Sequence, residues 1–443
     1  MRIRLLSTAI GLLLASRGHA QCTAGQVDTP YGGAAASGYV QISPVVQVVT
    51  EFEGTVSSSD NSIYATTEIA ADPSGNAVTS IIKVKDGGAR DLTFGGYGAV
   101  VPFPPSADTV DAELATDPSG NTIVAMLSTD QSNIVLARYL PSGVLDTSFG
   151  SGGQLTIAFA NYVSGVFNLK AGPDGSLYVA TGSQYPNPPV QPVVFKTTPS
   201  GALDTSFGAG GYAYFYNDNY GPFGKATDLW LNADGTILVA GRVGDTQPQT
   251  YAQFFVARLF ANGTLDTSFG SNGMTVVTFG SGIIADGRKM VVTPDGRIVV
   301  TGGLAPTGGA FTNTGVIRLL ANGALDHSFN GTGQLTLSNF VGYVIAVQNN
   351  NKILLGGNDG AGIRGQVVRV LTNGQLDTAF GSAGISTLNP PGWPTASVSH
   401  LNYLPGGKII VHAAGGSSPS STSAPTSAGY LVRLDSGSGV GCH

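Results

Sequence analysis

A turn motif that recurs at intervals of 51 to 62 residues, four strand-like segments per interval, and a Gly-rich, charge-poor composition together predict an all-β fold. The specific expectation is a seven-bladed β-propeller with four antiparallel strands per blade. Strand exchange between the N- and C-termini is expected to close the ring. Each part of that expectation rests on particular residues.

The recurring motif is Leu-Asp-Thr-Ser-Phe-Gly, found at Leu145, Leu203 and Leu265, with close variants at Leu325 and Leu376 and a weaker copy from Arg90 to Gly95. Its Phe positions, 94, 149, 207, 269, 329 and 380, set the period. Eleven residues before each lies a basic residue: Lys83, Arg138, Lys196, Arg258, Arg318 and Arg369. Turns such as Pro173-Asp174-Gly175 and Pro294-Asp295-Gly296 stand further upstream. In one unit a first strand ends with Leu229-Trp230-Leu231 at the Asp-Gly turn, and Thr236 to Ala240 leaves it. A variable loop leads to Phe254–Leu259, and the motif turn leads to Met274–Val277. A parallel β-helix would need much shorter coils.

The seventh copy is divided between the chain ends. Leu404 to Gly407, Lys408 to Val411 and Tyr430 to Leu434 supply three strands, with Arg433 in the basic position. The missing turn is at the other end, where Thr23 to Gly32 mirrors Thr372 to Gly381, followed by a strand over Gly38 to Ile42. Blade 7 is therefore expected to draw on residues 22–44 and 397–443 of a single domain spanning 21–443. Such closure removes exposed sheet edges.

With these residues in view, the chain resembles the bacterial delta-60 repeat family of propeller-like proteins, over nearly all of the sequence after residue 20. The resemblance implies a fold and transfers no catalytic residue. Blade 1 departs most, with Arg90 in place of Leu and Asn61 in place of Gly.

The first twenty residues read as a secretory signal peptide, with Arg2 and Arg4, an apolar stretch from Leu5 to Ala15, and a cleavage site at Gly18-His19-Ala20. Gln21 before Cys22 argues against a lipid anchor. No segment approaches the roughly 20 apolar residues of a membrane-spanning helix. Charged residues make up only 11% of the chain, and the segment after residue 20 carries 18 Lys and Arg against 27 Asp and Glu. A diffuse acidic balance without basic clusters argues against nucleic acid or anionic membrane partners. A secreted or periplasmic monomer is expected.

Chemistry is expected where the repeat varies. The Asp of each motif turn, with the basic residue eight positions earlier, could form a charged ring around a ligand. Its presence in every blade reads instead as a structural pair or turn cap, and the motif Phe as core between blades. No zinc-protease, Cys-x-x-Cys, phosphate-loop or nucleophile-elbow pattern occurs. The loops after the second and fourth strands share one rim and vary in length. They carry Tyr162, Tyr185, Tyr216, Tyr220, Phe223, Tyr251 and Trp393, flat apolar surfaces suited to a glycan or a protein ligand. Binding is assigned to Tyr162, Tyr216, Tyr220, Phe223 and Trp393.

A second set lies seven residues before each first-turn Gly: Glu113, Asn168, Asp228, Lys289, Val344 and His400, with Glu51 or Glu53 in blade 1. Convergence of Glu113, Asn168, Asp228 and His400 at the channel mouth would offer oxygen and imidazole ligands to Ca²⁺. The leading expectation is thus a binding or structural propeller without a cofactor. The alternative is a Ca²⁺-assisted hydrolase or lactonase, and a quinone-type dehydrogenase ranks third. Finally, Cys22 and Cys442, the only two cysteines, fall in the same connection of blade 7 and are expected to form a disulfide.

Overall fold

The computed structural model describes residues 24, 26, 39–41, 55–57, 62–70, 77–96, 98–101, 109–128, 130–159, 162–183, 190–215, 223–244, 252–390, 393–404, 407–416 and 427–435. They form seven four-stranded antiparallel sheets arranged as the blades of a ring. The inner strands, in chain order, are Thr55–Ser57, Thr109–Thr116, Val163–Ala171, Phe223–Leu231, Ile283–Val292, Phe340–Val347 and Thr395–Tyr403. In blade 4 the sheet continues outward through Ile237–Gly244, Ala252–Leu259 and Met274–Val277. The first two strands of that blade extend several residues further toward the variable side than the short expected segments. Among the described residues no helix is long and apolar enough to cross a membrane.

The sheet of blade 7 combines Thr395–Tyr403, Lys408–Gly416 and Ser427–Asp435 with Tyr39–Gln41, which runs antiparallel to the last of these with Val40 opposite Leu431. The Gln26 carbonyl accepts the Asp435 N–H at 3.0 Å, matching the 2.7 Å bond from Leu371 N–H to the Gln375 carbonyl in blade 6. The signal-peptide segment, Cys22 and Cys442 lie outside the described residues.

The core is divided into seven apolar clusters, one between each pair of neighbouring blades. The motif Phe of blades 1 to 6 belongs to the interface with the following blade, and each is at most 1% exposed. Burying such a ring stabilises the fold by roughly 1.5–3 kcal/mol. The Gly of the next blade's turn completes the seal. A Cβ on Gly201 (φ +84°) would come within 2.9 Å of the Phe149 ring, so only Gly combines this backbone with this approach.

The motif polar groups are structural. The Asp carboxylate in the turn accepts the N–H two residues on, as from Ser148 to Asp146 and Ser268 to Asp266. Its other oxygen receives the basic side chain from the third strand: Arg138–Asp146 2.7 Å, Lys196–Asp204 3.0 Å, Arg258–Asp266 2.7 Å, Arg318–Asp326 2.9 Å and Arg369–Asp377 2.8 Å. Each of these arginines also lies over its own motif Phe, 4.6–5.0 Å from the ring centre. Just beyond the Phe, one N–H donates to the turn carbonyl of the next blade. This bond links Gly95 to Ser142, Gly150 to Ser200, Gly208 to Asn262, Gly270 to Asn322, Asn330 to Asn373 and Gly381 to Ala24, all at 2.7–2.9 Å. A chain of equivalent bonds thus runs around one rim.

Candidate functional site

In blades 2 to 7 the inner strand carries a β-bulge. The bulge pushes a carbonyl toward the second strand, and the residue opposite must make room. In blades 4, 5 and 6 that residue is Gly241, Gly302 or Gly357, where an added Cβ would stand 1.9 Å from the carbonyl oxygen of Lys225, Asp286 or Val341. In blade 3 it is Thr181, whose hydroxyl donates to the Gly165 carbonyl at 2.6 Å. Bulges re-aim side chains, and these set what enters the channel.

The six positions selected from the sequence, Glu113, Asn168, Asp228, Lys289, Val344 and His400, do converge, and all line one cavity of about 390 Å³. They lie inside the channel rather than at its mouth, because each inner strand continues several residues beyond its bulge toward the variable rim. Lys289 of blade 5 reaches across to Glu113 of blade 2, with Nζ 3.3 Å from the carboxylate and 3.0 Å from the Phe167 carbonyl. Burial raises the Glu113 carboxyl above its ordinary value, against the pull of Lys289 and Lys170. Burial alone would lower Lys289, but Glu113 and Asp228 outweigh it and raise its pKa. The pair forms a bar across the axis.

Asp228 spends both oxygens on the main chain, accepting from Leu229 N–H at 2.9 Å and Met290 N–H at 2.6 Å. Among the described residues no three His, Cys, Asp or Glu side chains gather as a metal site. Glu113, Asn168, Asp228 and His400 come to one cavity, and the ammonium of Lys289 stands among them. On the far wall His400 and His412 meet edge to face with ring centres 6.1 Å apart, and Asn402 Nδ2 lies 3.1 Å from His412 Nε2. Burial lowers His400 well below its usual value and His412 to about 3, so both are neutral. Asn168 Oδ1 and His400 Nδ1 are buried and have no hydrogen-bond partner among the described residues.

On the variable side of the bar lies a second cavity of about 420 Å³, lined by Phe167, Lys225, Thr227, Arg242, Asp286, Arg288 and Tyr343 above Glu113 and Lys289. Asp286 accepts from Arg242 Nη1 at 3.0 Å and from Arg288 Nε at 3.1 Å. Arg288 also lies over the rings of Tyr343, at 4.9 Å, and Phe311, at 5.7 Å. Lys225 lies over Phe167 at 4.9 Å. Sequence reasoning missed this group. Its signal was available as basic residues at or near the bulges, where the repeat has no rule: Arg288 at the bulge of blade 5 and Lys225 two residues before that of blade 4.

Lys225 and Arg242 also line a cleft between blades 3 and 4, together with Tyr162, Ser164, Val190 and Phe223. Two of the aromatics selected from the sequence thus meet here, Tyr162 with 39% of its surface exposed. Tyr185, Tyr216, Tyr220 and Tyr251 lie outside the described residues. Trp393 is half-buried, packed on the core between blades 6 and 7 and hydrogen-bonded to Tyr430.

Five stretches of the chain, residues 118–149, 172–207, 233–269, 293–329 and 348–380, match the model of a β-propeller domain of unknown function, DUF5122. Each ends on a motif Phe, so the match follows the second and third strands of blades 2 to 6. It supports the propeller side of the resemblance and does not carry the delta-60 name. No curated protein matches the chain by sequence. Among solved structures, a Dyadobacter fermentans protein of unknown function is 12% identical with a TM-score of 0.48, over 89% of this chain and 98% of that one. A puromycin hydrolase is 14% identical with a TM-score of 0.51, over 93% of this chain and 55% of that one. The PQQ-bound aldose sugar dehydrogenase of Streptomyces coelicolor is 13% identical with a TM-score of 0.40, over 72% and 93%. At 14% identity, what the chain shares with the puromycin hydrolase is the fold.

Proposed function

We propose that the protein is an exported binding propeller that presents an aromatic-lined variable rim to a glycan. The observation that supports this most is the cleft of about 190 Å³ between blades 3 and 4, where Tyr162 and Phe223 flank an apolar wall and polar groups stand at the edge. Flat apolar rings beside a few oriented polar groups suit the C–H faces and hydroxyls of a sugar. A protein partner would need roughly 800 Å² of matching surface, which a narrow cleft does not favour.

Export rests on the N-terminal sequence, and the same compartment would oxidise Cys22 with Cys442. The test is a glycan array probed with the purified full chain and with a Tyr162→Ala, Phe223→Ala variant. The expected result is a defined set of bound saccharides, lost in the variant while the melting temperature stays within about 2 °C, as befits substitutions that leave the blade cores intact. Unchanged saccharide binding by the variant would move the site elsewhere. No saccharide signal from the parent chain would end the glycan reading.

A further inference from the structure

We infer that the rim site is built for an acidic glycan, with Arg288 and Arg242 receiving the carboxylate of a uronate residue. The inference rests on the glycan-binding reading above and adds the ligand's charge and the residues that read it.

The distribution of charge comes first. The whole chain carries a formal net charge of −6 with only 21 Lys and Arg in 443 residues. Yet the variable-side cavity gathers Lys225, Arg242, Arg288 and Lys289 against two carboxylates, Asp286 and Glu113. Glu113 is committed to Lys289, and Asp286 is shared by both arginines. A local excess of positive charge inside an acidic protein needs a reason, since it raises the cost of folding unless an anion completes it.

The geometry of Arg288 supplies one. A guanidinium has five N–H donors, and Asp286 takes one from each arginine, so that among the described residues the terminal nitrogens of Arg288 have no hydrogen-bond acceptor. The group is fixed on one side by the carboxylate and over two aromatic rings, Tyr343 and Phe311. A fork held this way loses little freedom when a ligand arrives, and its planar edge fits a carboxylate through two parallel bonds. Arg242 and Lys225 line both this cavity and the Tyr162–Phe223 cleft. A saccharide stacked in the cleft can therefore extend a carboxylate toward the arginines without leaving the rim. That continuity favours a uronate over a free small anion, which would have no use for the aromatic walls.

The experiment is a titration of the full chain, by array and then by calorimetry. It uses uronate-bearing oligosaccharides, each paired with its carboxyl-reduced form, alongside sulfated and neutral oligosaccharides. Uronate-bearing members are expected to bind at least tenfold more tightly than their carboxyl-reduced partners, with affinity falling as salt rises. Arg288→Gln should remove that preference. Arg288→Lys, which keeps the charge and loses the fork, should recover less than a third of it. Melting curves of both variants confirm that they fold. Equal binding of the reduced and unreduced forms would overturn this inference and leave the glycan reading standing. Preference for sulfated over uronate sugars, or full recovery of the preference in the Arg288→Lys variant, would overturn the carboxylate fork. Absence of all saccharide binding would end both readings.

Discussion

The two rims of this ring are made by the same seven sheets and follow opposite rules. On the motif rim blades 1 to 6 repeat one solution: an Asp cap, a basic partner, a buried Phe and an N–H passed to the next blade's carbonyl. On the other rim the equivalent bulge positions of blades 3 to 6 hold Phe167, Thr227, Arg288 and Tyr343, which share no chemistry and line one cavity. Repetition there reports what the ring needs to stand, and its absence reports where something other than stability has shaped the residues.

The comparison can be broken by measuring stability at each rim. The largest effect is expected at the chain ends, where Ala24 and Gln26 bond to Gly381 and Asp435. Non-reducing peptide mapping should find Cys22 and Cys442 in one fragment, and reduction should cost up to about 5 kcal/mol for so long a loop. Two free thiols in protein exported through an oxidising compartment would remove the clasp.

Next comes Asp326, whose carboxylate meets both Arg318 and Arg297 with side chains only 6% exposed on Asp326 and Arg318. Burial alone would raise this carboxyl, but the Ser328 bonds and the two arginines hold it at about 2. Asp326→Ala should lower stability by about 3–5 kcal/mol in denaturant unfolding, because it leaves buried charge unpaired. A loss below about 1 kcal/mol would mean that the motif charges are merely solvated.

The histidine pair gives an effect that appears only as the pH falls. His400 and His412 stay neutral in the fold, whereas the unfolded chain takes up protons near the ordinary value of 6.5. Stability is therefore highest above 6.5 and falls as pH drops toward about 3 for His412, by up to about 1.4 kcal/mol per pH unit for each histidine. Carboxylates such as Asp326 add to that decline only as pH falls below their unfolded value of about 3.8. His412→Gln should flatten the decline between pH 6.5 and about 4 in melting curves. An unchanged slope would place the cause elsewhere. The smallest effect belongs to the variable rim, where exposed Tyr162→Ala should change stability by no more than about 0.5 kcal/mol.

The motif rim was legible from the chain alone because one pattern, seen six times, carries its own register. Arg258 and Asp266 stand eight residues apart and meet at 2.7 Å, as their recurrence in each unit implied. The channel was half legible. Counting seven residues back from each turn Gly found Glu113 and Lys289, but a count along one strand cannot show that two side chains three blades apart will bridge the axis. Depth was missed for a similar reason, since the bulges and the length of the inner strands set it. Composition does not say how deep an aromatic residue in a variable loop sits, and Trp393 packs on the core while part of its surface stays exposed.

The bar of Lys289 and Glu113 has a consequence for traffic along the axis. It stands in the wall of both cavities, one lined also by arginine, lysine and tyrosine, the other by Lys170, Asp228, neutral imidazole and amide. A molecule entering from the variable side meets this ammonium and carboxylate on its way along the axis. Occupancy of one cavity can therefore be felt in the other as a change in the field around a single shared ion pair.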